Sequence, residues 1–275
     1  MTLTAGIDVG SAYTKVVLAG LFPTGDDDGR LAGLTAIPSG YDFARAAERG
    51  LAAALESAGI SRDEVGYVAA TGYGRYMVPF RDLAITELTC HAHAVSRLLP
   101  SVRTVLDIGG QTVKAIRLGE RGRVKAFRLN DKCAAGSGAF LEKTMRYLGY
   151  GASDIAPLAG AATAPVTISS VCAVFAESEV INHLTAGRSA EDVCAGAVMA
   201  LAERAGQVFK RVRPEPEYAL TGGLTRVPLL RRAIEDALGV TFHVASDDLG
   251  VYAGAMGAAL LGRERSRKLA QQRTA

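Results

Sequence analysis

Apolar positions along the chain follow two rhythms. Short apolar runs at 5–7, 16–21, 31–37, 65–70, 105–106, 115–118, 124–129, 218–220 and 240–244 read as strands. Residues 42–58 instead carry Phe43, Ala46, Ala47, Leu51, Ala54 and Leu55 at helical spacing. Further helices are expected at 86–99, ending before Pro100, and at 137–148, 171–186, 190–211, 228–238 and 252–261. Ser169 or Ser170 is a plausible cap for the helix at 171. Strands and helices intermix, so the chain predicts an α/β protein.

The strand pattern is written twice. Asp8-Val-Gly-Ser-Ala-Tyr-Thr-Lys15 returns as Asp107-Ile-Gly-Gly-Gln-Thr-Val-Lys114, with Asp, an aliphatic, Gly, a small residue and Lys at the same offsets. Each copy sits between apolar strands and meets a turn, Gly25–Gly29 or Gly119–Gly122, before a third strand. The shared surroundings point to an internal duplication. Two lobes are expected. Residues 1–98 form the first and 99–248 the second; 249–275 are a helix returning to the first.

Composition narrows the class. The chain has 275 residues, 49% hydrophobic and 21% charged, and a formal net charge of +3 with the signs mixed. It can bury a sizeable core and carries no electrostatic footprint for nucleic acid. No apolar run reaches the roughly 18 residues of a membrane span, and the N-terminus has no signal-peptide pattern. A cytoplasmic protein is expected, so the four cysteines are not read as disulfides.

An Asp-aliphatic-Gly-small turn suits a polyphosphate. Gly10 and Ser11, like Gly109 and Gly110, let backbone N–H groups approach phosphate, and Asp8 and Asp107 suit Mg²⁺. Thr14 is expected beside the phosphates. Lys15 and Lys114 are read equally as offsets to phosphate charge or as solvated strand ends. Gln111 is read as orienting the attacking water or as a solvent-facing turn residue. Gly222 and Gly223, in Thr221-Gly-Gly-Leu224, offer a third turn where a nucleoside could lie close to backbone. Together these pieces resemble the five-part nucleotide signature of the actin, heat-shock chaperone and sugar kinase superfamily. That resemblance implies two ribonuclease H-like lobes closing on ATP and Mg²⁺.

Cys133 and Cys172 both fall at expected helix N-termini, where N–H groups and the helix dipole favour a thiolate. No Cys-x-x-Cys occurs, so a compact zinc or ferredoxin-type site is absent. On spacing alone each thiol reads more readily as a buried hydrophobe. Cys90 and Cys194 are read as core residues.

Asn130–Gly138, Ile168–Ile181, Ala70–Arg75, Thr86–Ala92 and Asp107–Gln111 are similar to signature segments of the BadF/BadG/BcrA/BcrD-type ATPases. These comprise activators of 2-hydroxyacyl-CoA dehydratases and ATPase subunits of benzoyl-CoA reductase. The resemblance runs from about residue 5 to 262. It implies an electron activase in which Cys133 and Cys172 hold one [4Fe–4S] cluster with two cysteines of a second ATPase subunit. It also implies reduced ferredoxin or flavodoxin as donor and an acyl-CoA reductase or dehydratase as partner. Tyr252–Gly262, Cys172-Ala-Val and Ile181-Asn-His look nearer the smaller reductase subunit; Asp107–Gln111 and Asn130–Cys133 look nearer the dehydratase activators. The reading leans to the reductase subunit. After Gly223 the chain runs Leu-Thr-Arg-Val-Pro228, less polar than in the activators, which puts nucleoside contacts beyond the two glycines in doubt. The rival of another class is a sugar kinase on the same fold, which needs a cleft carboxylate as base and leaves both cysteines unexplained.

Overall fold

A computed structural model describes residues 3–20, 31–130, 137–169 and 173–274. The turn at Gly25–Gly29 and both Cys133 and Cys172 lie outside the described residues. In chain order the elements are β1 (Leu3–Val9), β2 (Tyr13–Ala19), β3 (Leu31–Pro38), α1 (Phe43–Ala58), β4 (Val65–Thr71), β5 (Leu83–Ala84), α2 (Glu87–Leu98), β6 (Thr104–Ile108), β7 (Val113–Leu118) and β8 (Val124–Asn130). There follow α3 (Gly138–Leu148), α4 (Ile155–Ala161), α5 (Ala173–Thr185), α6 (Ala190–Arg211), β9 (Tyr218–Thr221), α7 (Pro228–Leu238), β10 (Phe242–His243) and α8 (Ala253–Thr274).

Two compact units result. The first comprises Met1–Pro100, Gly119–Val124 and Tyr252–Ala275, the second Ser101–Leu118 and Lys125–Val251. Their sheets repeat one topology: β3-β2-β1-β4-β5 in the first and β8-β7-β6-β9-β10 in the second. In each, a central strand pairs antiparallel with the next strand of its hairpin and parallel with a later one: β1 with β2 and β4, β6 with β7 and β9. The duplication legible in two short motifs is therefore a duplication of whole sheets.

Local chemistry accounts for the helices that frame them. Asp42 caps α1 by accepting from the Arg45 N–H at 3.0 Å, and Gly59 ends it in the left-handed conformation at φ 64°. The helix then lays Leu51 and Leu55 on Ile7, Val16 and Leu18. In the second unit Leu106, Ile108, Leu141, Met145, Leu201, Leu230 and Ile234 form the core, each contributing about 1.5–3 kcal/mol by burial. Phe209 adds edge-on contacts to Phe242 at 5.1 Å and Tyr218 at 5.3 Å.

Three expectations shift. The last helix was expected to stop at 261, where the apolar pattern fades, but α8 runs on to Thr274 through Arg, Lys, Gln and Ala, all good helix formers. Helix α4 is absent from the sequence reading, because Pro157 and Gly160 interrupt its short pattern; Pro157 is tolerated in the first turn. The strand at 240–244 contracts to Phe242–His243, the two residues that pair with Tyr218 and Ala219.

Candidate nucleotide site

The first glycine turn joins β1 to β2. The Gly10 N–H closes it on Tyr13 C=O at 3.1 Å, and a Cβ at Gly10 would stand 2.8 Å from that oxygen. Behind the turn, Ser39 Oγ donates to Gly10 C=O at 2.7 Å and the Ser39 N–H donates to Ala12 C=O at 2.9 Å. Ser11 is half-buried at the turn. Thr14, by contrast, is fully buried and shares a 2.9 Å hydrogen bond with Ser39 Oγ. It backs the turn instead of lining its open side, because alternation along β2 turns it inward between Tyr13 and Lys15. Asp8 lies near the end of β1 with Oδ2 at 3.3 Å from Nζ of Lys15, its register partner.

The second turn has the same skeleton. The Gly109 N–H donates to Thr112 C=O at 2.9 Å. Asp107 is buried and Lys114 Nζ sits 2.9 Å from its Oδ2. Gly109 and Gly110 are half-buried, and Gln111 is exposed. Two further bonds come from α3, whose cap Ser137 makes no side-chain capping bond. The Gly138 N–H donates to Gly109 C=O at 3.0 Å, and the Ala139 N–H to Gly110 C=O at 2.6 Å. Helix amides that need partners at an N-terminus thus find them in the turn.

A parallel neighbour completes each motif. In register, Thr221 lies opposite Asp107 and Thr71 opposite Asp8. Each threonine is followed by a glycine with positive φ, 98° at Gly222 and 88° at Gly72. A Cβ at Gly222 would meet Ile108 C=O at 2.3 Å; one at Gly72 would meet Val9 C=O and Asp8 Oδ1, both at 2.5 Å. Only glycine lets the chain pass so close to each aspartate. Thr221 Oγ1 donates to Asp107 Oδ1 at 3.0 Å. Thr71 Oγ1 makes no hydrogen bond of sound geometry and lies by the weakly bonding Cys90 thiol. Gly223 is exposed and opens a short 3-10 turn over Gly223–Arg226.

Sequence reasoning missed Ser39, Thr71 and Thr221 as partners of the turns. The available signal was the recurrence of Thr-Gly directly after an apolar strand, at Thr71-Gly72 and Thr221-Gly222. It also left His91 without a place. His91 is buried on α2, and a Cβ at Gly254 of α8 would be 3.2 Å from its Nε2 and 2.8 Å from Asp8 Oδ2. Imidazole and carboxylate thus flank the same glycine.

Each aspartate faces its own lysine, so each motif offers a charge-balanced pair. Among the described residues no group of three or more His, Cys, Asp or Glu is placed to hold a metal ion. Mg²⁺ with a nucleotide needs only one or two carboxylates, the phosphates and water supplying the rest, and each turn offers one such carboxylate, Asp8 in the first unit and Asp107 in the second. Cys90 and Cys194 are free and buried, and burial pushes their thiols up to about 12 and about 11. Both suit the core positions expected of them. The segments of Cys133 and Cys172 lead into α3 and α5, which Lys143 and Glu177 join across 2.7 Å.

The model of the BadF/BadG/BcrA/BcrD ATPase family matches residues 5–262. The chain belongs to this family. An activator of lactoyl-CoA dehydratase from Anaerotignum propionicum is 38% identical over 265 residues, covering 96% of this chain and 99% of the activator. One of the subunits of benzoyl-CoA reductase from Thauera aromatica is 38% identical over 277 residues, covering 98% of this chain and 96% of its own length. The solved activator of the 2-hydroxyisocaproyl-CoA dehydratase from Clostridium difficile, with bound ADPNP, aligns with a TM-score of 0.90 at 32% identity and covers 98% of each chain. The family is one of ATPases, and its members share the actin-like, sugar kinase-like fold of the two repeated sheets. Among the described residues no helix is long and apolar enough to cross a membrane.

Proposed function

We propose that this chain is an ATP-hydrolysing electron activase that serves an acyl-CoA enzyme. The observation that carries the reading is the run of bonds leaving the second glycine turn. Gly109 and Gly110 hold the first two amides of α3, and Lys143 of α3 holds Glu177 of α5. A change at the turn therefore reaches both helices that follow the cysteines through backbone hydrogen bonds and one ion pair. Asp8 and Asp107 organise Mg²⁺, Gly10, Ser11, Gly109 and Gly110 receive phosphate, and Gln111, exposed beside Gly110, orients water. Lys15 and Lys114 hold the two carboxylates in place. Gly222 and Gly223 border the nucleoside.

Cys133 and Cys172 would hold a [4Fe–4S] cluster together with two cysteines of a second ATPase subunit, and such a cluster supplies a low-potential electron. Reduced ferredoxin or flavodoxin is the donor. For the partner enzyme we favour an aromatic acyl-CoA reductase, on the resemblance of Tyr252–Gly262 and Ile181-Asn-His to its smaller ATPase subunit. A 2-hydroxyacyl-CoA dehydratase is the second reading, supported by the resemblance of Asp107–Gln111 and Asn130–Cys133 to the dehydratase activators.

The test is anaerobic purification, with iron, sulfide and solution mass measured together. About two irons per chain in a dimer supports one shared four-iron cluster. Asp8→Asn is expected to abolish ATP hydrolysis and keep the iron; Cys172→Ala is expected to lose the iron and keep nucleotide binding. Full iron and sulfide in Cys172→Ala would overturn the ligand assignment. Iron-free protein that phosphorylates a small molecule would overturn the whole reading.

A further inference from the structure

Both glycine turns face the same backbone requirement. In one trans peptide the C=O and the N–H point in opposite directions. A turn that offers N–H groups to phosphate must therefore keep the matching carbonyls turned back. Gly10 and Gly109 already close their turns through their own N–H groups, on Tyr13 and Thr112. A hairpin requires no more than that. Yet the carbonyl of each of these glycines carries a second bond from behind.

The donors are chemically unrelated. At Gly109 it is a helix amide, the Gly138 N–H at 3.0 Å. At Gly10 it is a side chain, Ser39 Oγ at 2.7 Å. Ser39 is only 3% exposed, so this bond forms away from competing water. Its direction is also fixed. The Ser39 hydrogen goes to Gly10 C=O, so in the 2.9 Å bond between the two hydroxyls Thr14 is the donor and Ser39 the acceptor. Thr14, Ser39 and Gly10 form a one-way chain of hydrogen bonds that ends on the turn. Two halves of one duplicated fold thus reach the same carbonyl with different groups.

We propose that Ser39 is a positioning residue of the nucleotide site. By holding the Gly10 carbonyl it sets the Gly10–Ser11 peptide with the Ser11 N–H turned out toward phosphate. Ser39 does not touch the nucleotide itself. The inference rests on the nucleotide-site reading above.

The test compares two probes on the full chain by titration calorimetry: Mg·ADP, which engages the phosphate turns, and adenosine, which does not. Ser39→Ala removes the donor, and Mg·ADP is expected to bind about three- to tenfold more weakly, the usual worth of one lost hydrogen bond. Adenosine affinity is expected to stay as in the unaltered chain. Ser39→Cys keeps a weak S–H donor in a similar volume, and its Mg·ADP affinity is expected to lie between the two. Should Ser39→Ala fail to fold, Ser39→Cys carries the same comparison. Equal weakening of both probes assigns Ser39 to general stability and overturns the proposal, as does Mg·ADP binding unchanged in both variants. An unaltered chain that bound no Mg·ADP would overturn the functional reading and this inference together; normal binding there with no effect at Ser39 overturns the inference alone.

Discussion

Replacing Thr221 by Val removes one hydroxyl and puts a methyl in its place, with little change of volume. Thr221 and Asp107 are each 2% exposed, and the lost bond is 3.0 Å long. A buried hydrogen bond to a charged group contributes about 1.5–3 kcal/mol. Lys114 still holds the other oxygen of Asp107, so we place the loss near the middle of that range, at about 2 kcal/mol. Thr71 stands at the equivalent register position, but its hydroxyl is buried by the Cys90 thiol and makes no hydrogen bond of sound geometry. Thr71→Val therefore costs no stability, since no sound bond is lost and a buried hydroxyl without one is removed. Urea unfolding followed by circular dichroism measures both. With a slope of about 2 kcal/mol per molar, Thr221→Val shifts the midpoint down by about 1 M and Thr71→Val does not lower it. Thr221→Ser should restore most of the loss and most of the ATP hydrolysis lost in Thr221→Val. Equal shifts in the two valine variants, or a serine variant as weak as the valine one, would refute the asymmetry.

Other outcomes follow from the same packing. Cys90, its thiol pushed up to about 12 by burial, should resist alkylation in the native protein at pH 8 and react only on unfolding, as peptide mapping by mass spectrometry would show. The Asp192 carboxylate accepts the Ala164 N–H at 2.7 Å and the Thr163 N–H at 3.0 Å, which, with Ser189, hold its pKa below the usual carboxylate value. A depressed folded-state pKa gives stability that is complete above the unfolded value of about 4 and is lost as pH falls through the folded value. Asp192→Asn should accordingly flatten the acid limb of a stability-versus-pH curve and leave its pH dependence above about 5 unchanged. Gly257→Ala places a Cβ 1.9 Å from Cys90 C=O and so forces α8 off α2; a loss exceeding about 3 kcal/mol, or insoluble protein, is expected.

The sequence determined the α/β class, the duplication and most of the elements, because these depend on local periodicity and on motifs that repeat at fixed offsets. The offset of seven between Asp8 and Lys15 and between Asp107 and Lys114 was legible in the motif, but their pairing was not read from it: antiparallel hairpin register brings each lysine face to face with its aspartate. Short elements escaped it. The two-residue β5 has no periodicity to read, and Pro157 and Gly160 obscure α4. What only the tertiary structure decided is the backing of the turns. Ser39 reaches Gly10 across 29 residues, Thr221 reaches Asp107 across 114, and Gly138 meets Gly109 from another element. Parallel strand pairing and helix docking set those meetings, and neither leaves a fixed spacing in the chain. Thr14 shows the same limit from the other side. Its place in the motif marked it for phosphate, but the pleat of β2 turned it inward to Ser39, because side-chain direction is set by the sheet and not by the motif.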